Sequence, residues 1–288
     1  MRQAAGRAVQ VNDRSVYVEE SGTGPDRVVF ESGQGMGRTC WDAVLPLLTD
    51  RARLVAYDRA GSGRSGRTTA QLGIDDMAAD LVAMVEAVVP SRFVLVAHSM
   101  GALVARRAME RLGPQVRGLL LVDPTPENAP VYDTFDQTAA KVDRAMGVTQ
   151  ALVRFRPLAR VVSENVRRIF PADTYRAMLA EDFVPDGIAQ TRKEFKAVAA
   201  AIPQLRAEPP GLPTCPTVLL SSSRPAKGRE QQHALIAEHQ RRWAETLADG
   251  RFEEVDSGHF IQAEQPGTVA DSIGHLLDRS PDRHTRSA

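Results

Sequence analysis

Cysteine is scarce: Cys40 and Cys215 are the only two in 288 residues, and no metal-ligand spacing relates them. Two such distant thiols do not make a disulfide framework, and they read as free, buried cysteines of a reducing compartment. No excess of charge exists either, with 36 basic and 36 acidic side chains. That balance leaves no field for nucleic acid or an anionic membrane surface to recognise. No run approaches the ~20 apolar residues of a membrane span. Residues 1–10, with Arg2, Gln3, Arg7 and Gln10, lack the apolar stretch of a secretory leader, so a cytoplasmic protein is expected. No internal repeat is visible. What remains is a chain of ordinary globular composition, 43% hydrophobic and 25% charged, long enough to bury a large core.

The most informative stretch is Phe93 to Val104. Phe93 to Val96 is a short apolar run typical of a strand buried on both faces. After Ala97-His98-Ser99-Met100-Gly101, strong helix formers resume at Ala102. A strand that becomes a helix within three residues needs a tight corner with small neighbours. Ala97 and Gly101 meet that demand, and Ser99 sits at the tip in the layout of a nucleophile elbow. The alternative is a serine that merely caps a helix.

Before the elbow, residues 7–11 and 15–20 read as a hairpin turning at Asn12-Asp13, and Val28 to Glu31 as a strand entering the loop Ser32-Gly33-Gln34-Gly35-Met36-Gly37. That loop has neither the Lys-Ser/Thr of a P-loop nor the dinucleotide-binding spacing. A short helix over Cys40–Leu48, interrupted at Pro46, leads to a strand at Arg53–Tyr57 and the turn Asp58-Arg59-Ala60-Gly61-Ser62-Gly63-Arg64-Ser65. Asp58 and Arg59 are expected to fix that turn by hydrogen bonds and a salt bridge. An amphipathic helix over 74–89 precedes the elbow strand, and an apolar strand over 116–122 follows its helix. This rhythm predicts right-handed crossovers and an α/β fold with a mostly parallel sheet.

From 127 to 212 the rhythm breaks into helical stretches at 136–146, 149–155, 158–169, 173–179 and 188–202, punctuated by Pro157, Pro171, Pro185 and Pro203. The expected organisation is a core of residues 1–126 and 213–278, a helical insert over 127–212 and a disordered tail over 279–288. A strand at 217–221, a helix at 231–247, a strand at 252–256 and a closing helix from Pro266 complete the core.

A serine nucleophile needs a base, and the base needs a carboxylate to hold its tautomer. His259 follows the last strand within Ser257-Gly258-His259-Phe260, at the sheet edge where parallel folds bind ligands. His98 adjoins the serine, and its side chain is expected on the opposite side of the elbow. Ser221 to Pro225 offers no acid. Asp123, at the end of the strand after the elbow helix, lies within reach because neighbouring strands stand ~5 Å apart. Glu127 is the reserve candidate.

These motifs together resemble the α/β-hydrolase superfamily over nearly the whole chain. The resemblance rests on Ser32 to Gly35, Asp58 to Ser65, the Ala97 to Gly101 elbow and Gly258-His259. Leu121 to Glu127 is similar to a branch that carries its acid after this strand. It implies a Ser99–His259–Asp123 triad and a serine hydrolase acting on a small-molecule ester or lactone with no cofactor or metal. It also implies an oxyanion hole from the backbone N–H groups of Gln34 (or Gly35) and Met100. The inserted helices would form a lid, with Met146, Phe155, Tyr175, Met178, Phe183 and Phe195 as candidate substrate contacts. A ligand-binding protein without turnover, or cleavage of an amide or carbon–carbon bond, is the alternative.

Overall fold

The computed structural model describes residues 5–279. Its sheet has eight strands: β1 (Ala5–Val11), β2 (Arg14–Ser21), β3 (Asp26–Glu31), β4 (Ala52–Asp58), β5 (Phe93–His98), β6 (Val116–Val122), β7 (Thr217–Ser222) and β8 (Gly250–Val255). Their spatial order is β1-β2-β4-β3-β5-β6-β7-β8. The hairpin β1–β2 and the β2–β4 pair are antiparallel, and the other neighbours are parallel. Asn12 closes the hairpin with φ of 51°, a left-handed position that asparagine tolerates.

The central strands are wholly buried because helices cover both faces. Helices α1 (Ile74–Val88) and α2 (Gly101–Leu112) pack on one face with Leu81, Val85, Leu103 and Leu112. On the other face lies α10 (Pro266–Asp278), where Val269, Ile273 and Leu277 join Phe30, Trp41, Val94 and Val96. Two further helices complete the second half of the core, α8 (Glu230–Glu245) and the short α9 (Ile261–Glu264). Both cysteines are free thiols. Among the described residues no helix is long and apolar enough to cross a membrane.

Between β6 and β7 the described chain is helical: α3 (Phe135–Leu152), α4 (Arg156–Val162), α5 (Glu164–Ile169), α6 (Ala172–Glu181) and α7 (Pro185–Ala207). Four local expectations need correction. The stretches at 136–146 and 149–155 are largely one helix, because nothing at Gly147-Val148 breaks the ladder. The stretch at 158–169 is two helices, parted at Ser163, whose hydroxyl turns back to the Ala159 carbonyl and meets the Tyr175 hydroxyl. Pro203 lies inside α7 without ending it. Residues 40–48 likewise form no α-helix. Two 3₁₀ turns, Arg38–Trp41 and Leu45–Leu47, take their place around Pro46. Of the tail expected over 279–288, Arg279 is described and its guanidinium donates to Asp249 at 2.8 Å, while residues 280–288 lie outside the described residues.

Candidate active site

The carboxyl ends of β5, β6 and β8 bring Ser99, Asp123 and His259 together. Ser99 follows β5 with φ of 53°, and Asp123 follows β6 with φ of 42°. Two non-glycine residues in left-handed backbone on adjacent strand ends are uncommon, and such strain is characteristic of functional corners. The surrounding backbone holds both. The Ser99 amide donates to the Val122 carbonyl at 3.0 Å, and the Thr125 amide donates to the Ser99 carbonyl at 3.2 Å. At Gly101 a Cβ would stand 2.4 Å from the Ser32 carbonyl oxygen, so only glycine lets the elbow meet the loop after β3 this closely.

The Ser99 hydroxyl donates to His259 Nε2 at 3.0 Å, and His259 Nδ1–H donates to Asp123 Oδ2 at 2.6 Å. Asp123 accepts three further bonds. The Ser222 amide reaches Oδ1 at 3.1 Å, the Ser222 hydroxyl reaches Oδ2 at 3.0 Å, and Gln240 Nε2 reaches Oδ1 at 3.3 Å. Burial pushes the Asp123 carboxyl up, but the bonds and charge of His259 together with those of Ser222 and Gln240 outweigh it and hold its pKa below the ordinary value. The residue at the end of β7, where no acid stands, is thus a donor to the acid on the neighbouring strand. Behind it, His233 Nε2 lies 3.2 Å from the Ser222 hydroxyl.

His98 is not turned away from the site. Its buried ring packs against the His259 ring with centroids 4.7 Å apart, and its Nε2–H donates to the His259 carbonyl at 3.0 Å. Burial, with repulsion from His259, pushes its pKa down to about 3, so it stays neutral and serves as a prop beneath the loop. Glu127 is separated from this group. Its carboxylate takes two bonds from Arg106, at 2.7 and 2.9 Å, and the guanidinium lies over the Trp243 ring.

A cavity of about 710 Å³ opens above Ser99 and His259, within the size range of small-molecule sites. Gln34 and Met100 line it beside the serine. Gly35 does not share that availability, because its amide donates to Glu194 Oε2 at 2.7 Å. Of the six aromatic and methionine positions anticipated as contacts, Phe195 lines the cavity. The other five are elsewhere: Tyr175 is buried among helices α4 to α7, Met178 in the core, Phe183 borders a separate cavity, Phe155 is 66% exposed, and Met146 is absent from the lining. The apolar wall is built instead by Tyr132, Phe135, Ile169, Val198, Ile236 and Phe260. Helical periodicity shows which residues face inward but not toward which neighbour, so the sequence carries no signal that separates these from core.

The turn after β4 is structural, as anticipated, though its charges pair outward and not with each other. Asp58 accepts from the Arg38 and Arg64 amides and from the Arg38 guanidinium, while Arg59 pairs with Glu31 and Glu194. Burial pushes the Glu31 carboxyl up, and it bonds the Tyr57 hydroxyl. Among the described residues no cluster of His, Cys, Asp and Glu could hold a metal ion.

A strand-borne serine, a buried acid and an imidazole in this order along a parallel sheet fit one family, whose model, described as alpha/beta hydrolase family, matches residues 28–272. The chain belongs to the alpha/beta hydrolase family. It is similar to a 2-(acetamidomethylene)succinate hydrolase of Mesorhizobium japonicum, 27% identical over 42% of this chain and 43% of that protein. It is also similar to a pimeloyl-[acyl-carrier protein] methyl ester esterase of Nitrosomonas europaea, 33% identical over 39% of this chain and 42% of that one. This alpha/beta hydrolase spans about two fifths of the length of the first curated relatives it matches. Its fold is shared with a thermophilic esterase from Thermogutta terrifontis, at a TM-score of 0.67 and 22% identity over 96% of this chain and 99% of that one.

Ser222, Gln240 and His98 are the parts of this alpha/beta hydrolase's site that sequence reasoning missed. Each acts through a hydrogen bond to a residue that is itself recognisable; Ser222 and Gln240 belong to no motif, and His98 sits in the elbow at a position whose orientation only the fold fixes.

Proposed function

We propose that this protein is a serine hydrolase that cleaves a carboxylic ester or lactone. The observation that carries this reading is the continuous hydrogen-bond chain from the Ser99 hydroxyl through His259 to Asp123 on the floor of the cavity. His259 takes the Ser99 proton as Oγ attacks the carbonyl carbon, and the oxyanion that forms is received by the amides of Gln34 and Met100. His259 then gives the proton to the departing alkoxide as the carbon–oxygen bond breaks. Water attacks the acyl-enzyme by the same route, and Asp123 holds Nδ1–H and stabilises the imidazolium in both halves. Each oxyanion donor is worth about 2.7–4 kcal/mol of barrier.

Epoxide and haloalkane chemistry in this fold needs a carboxylate nucleophile, and a serine stands at position 99. The esterase among the relatives points the same way. Helices α3 to α7 act as a lid whose apolar wall suits an apolar acyl or alcohol group. The two free cysteines fit a cytoplasmic enzyme. The alternative of a non-hydrolytic binding protein drew on the missing acid after Ser221, and an acid 2.6 Å from the imidazole removes that support.

Hydrolysis of p-nitrophenyl acetate and butyrate tests the reading. Ser99→Ala is expected to lower kcat by about 10⁶-fold, and a fluorophosphonate is expected to label the native chain and not the variant. Native protein that neither turns over these esters nor takes the label would be a binding protein instead.

A further inference from the structure

Helix α7 carries a carboxylate that none of this chemistry uses. Glu194 is 0% exposed. Its Oε1 accepts from Arg59 Nε at 3.0 Å, and its Oε2 accepts from Arg59 Nη2 at 3.1 Å and from the Gly35 amide at 2.7 Å. Arg59 in turn donates to the Ser32 and Gly33 carbonyls at 2.6 and 2.7 Å. The two carbonyls before Gln34 and the amide after it are therefore all held by one buried ion pair. Gly35 has φ of 68°, and a Cβ there would fall 2.5 Å from Thr191 Cγ2. Gln34 Nε2 donates to the Thr191 carbonyl at 3.3 Å. The loop after β3 is thus pressed onto one turn of α7, and the Arg59 guanidinium, shared with Glu31, balances the buried Glu194 charge.

We propose that Glu194 is a positioning residue for the oxyanion loop. By taking the Gly35 amide it makes Gln34 the loop residue whose amide receives the oxyanion. This inference rests on the serine-hydrolase reading, and it makes part of the lid a component of the catalytic geometry. The helical segment then does more than shape the substrate cavity, because α7 supplies a bond that the loop cannot make for itself. Main-chain donors act only at the right distance and angle, and a misplacement of about 1 Å can cost roughly 10²-fold in rate.

Two variants separate this role from simple charge neutralisation. Glu194→Gln keeps an oxygen for the Gly35 amide but gives up the charge opposite Arg59. Glu194→Asp keeps the charge but, one methylene shorter, withdraws from Gly35 while it can still pair with Arg59. With p-nitrophenyl acetate, the Gln variant is expected to keep kcat within about threefold of wild type, and the Asp variant to lose about 10- to 100-fold in kcat at unchanged KM. Phenylboronic acid, whose tetrahedral adduct with Ser99 uses the same amides, should lose affinity for the Asp variant by a similar factor. An Asp variant that matches or exceeds the Gln variant overturns the proposal and leaves Glu194 as the counter-ion of Arg59. Failure of both variants to fold overturns it too, making Glu194 a scaffold residue. Ser99→Ala measured alongside keeps the two readings apart. Full activity in that variant sinks the serine-hydrolase reading, whereas a dead Ser99→Ala with the wrong order at Glu194 sinks only the positioning role.

Discussion

The floor and the roof of the cavity are built by opposite means. On the floor, Ser99, Asp123 and His259 sit on the ends of buried parallel strands, and backbone hydrogen bonds fix two of them in left-handed conformation. The roof is a wall of Tyr132, Phe135, Ile169, Phe195 and Val198, from helices and turns between β6 and β7. It is tied down where α7 meets the loops, through Glu194, Thr191 and Lys193, and where Glu181 of α6 pairs with Arg38 and Arg64. Strand ends position atoms to fractions of an ångström, whereas packed aromatic side chains set a shape. The floor should therefore govern rate and the aromatic wall of the roof selectivity, with Glu194 the one roof residue proposed to act on rate.

The sharpest way to break that division is at the acid. Asp123→Asn is expected to lower kcat on p-nitrophenyl acetate by about 10⁴-fold, because the wrong imidazole tautomer then faces Ser99. Preference among acyl chain lengths should stay as it is. Glu127→Gln is the control: steady-state kinetics should show kcat unchanged, while denaturant melts show a loss of roughly 3 kcal/mol as Arg106 loses its buried partner. Kinetic loss in the Glu127 variant with none in Asp123→Asn would reverse the assignment.

Phe195→Ala addresses the roof. Its side chain meets Phe135 with ring centroids 4.8 Å apart and lines the cavity, so truncation enlarges it. The ratio of kcat/KM for octanoate over acetate esters should rise by about 10-fold, the scale of one or two methylenes in an apolar pocket. A uniform fall in kcat for every ester would mean the roof also shapes the reacting geometry.

The smallest effect lies at the seam between the two. The Asp42 carboxylate accepts from the Thr174 hydroxyl at 3.2 Å, and burial pushes its pKa up to about 6 from an ordinary 3.8. A raised carboxyl pKa means that the folded chain holds the proton more tightly than the unfolded chain. The stability it contributes is present below about pH 4 and is lost as pH rises to about 6. Above that, an ionised, poorly solvated carboxylate remains. Asp42→Asn should raise Tm by roughly 2–4 °C at pH 8, with the gain vanishing near pH 4. A gain that does not change with pH would place its origin elsewhere than in the charge.

Much of this was legible before folding. The run at Phe93 to Val96, the small residues around Ser99 and the glycine-flanked His259 prescribe a buried strand, a tight corner and a loop whatever surrounds them. Those are local steric facts, and the strand–helix rhythm follows from periodicity. Asp123 could be named because its strand neighbours the serine's. All four hydrogen bonds to its carboxylate come from Ser222 and His259 or Gln240, and these join it only once distant strands and α8 are in place. Helix limits around Gly147 and Ser163 escaped because a lone glycine or serine is compatible with both a break and continuity.

By itself, then, the chain's order of residues determined the sheet, the elbow and which serine and histidine are proposed as nucleophile and base, since each depends on neighbours a few positions away. The partner that holds Asp123 in place, the aromatic side chains that face the substrate and the carboxylate that grips Gly35 were decided only by tertiary structure. Those contacts join residues as far apart as Gly35 and Glu194, and no local propensity encodes which of many buried side chains will meet.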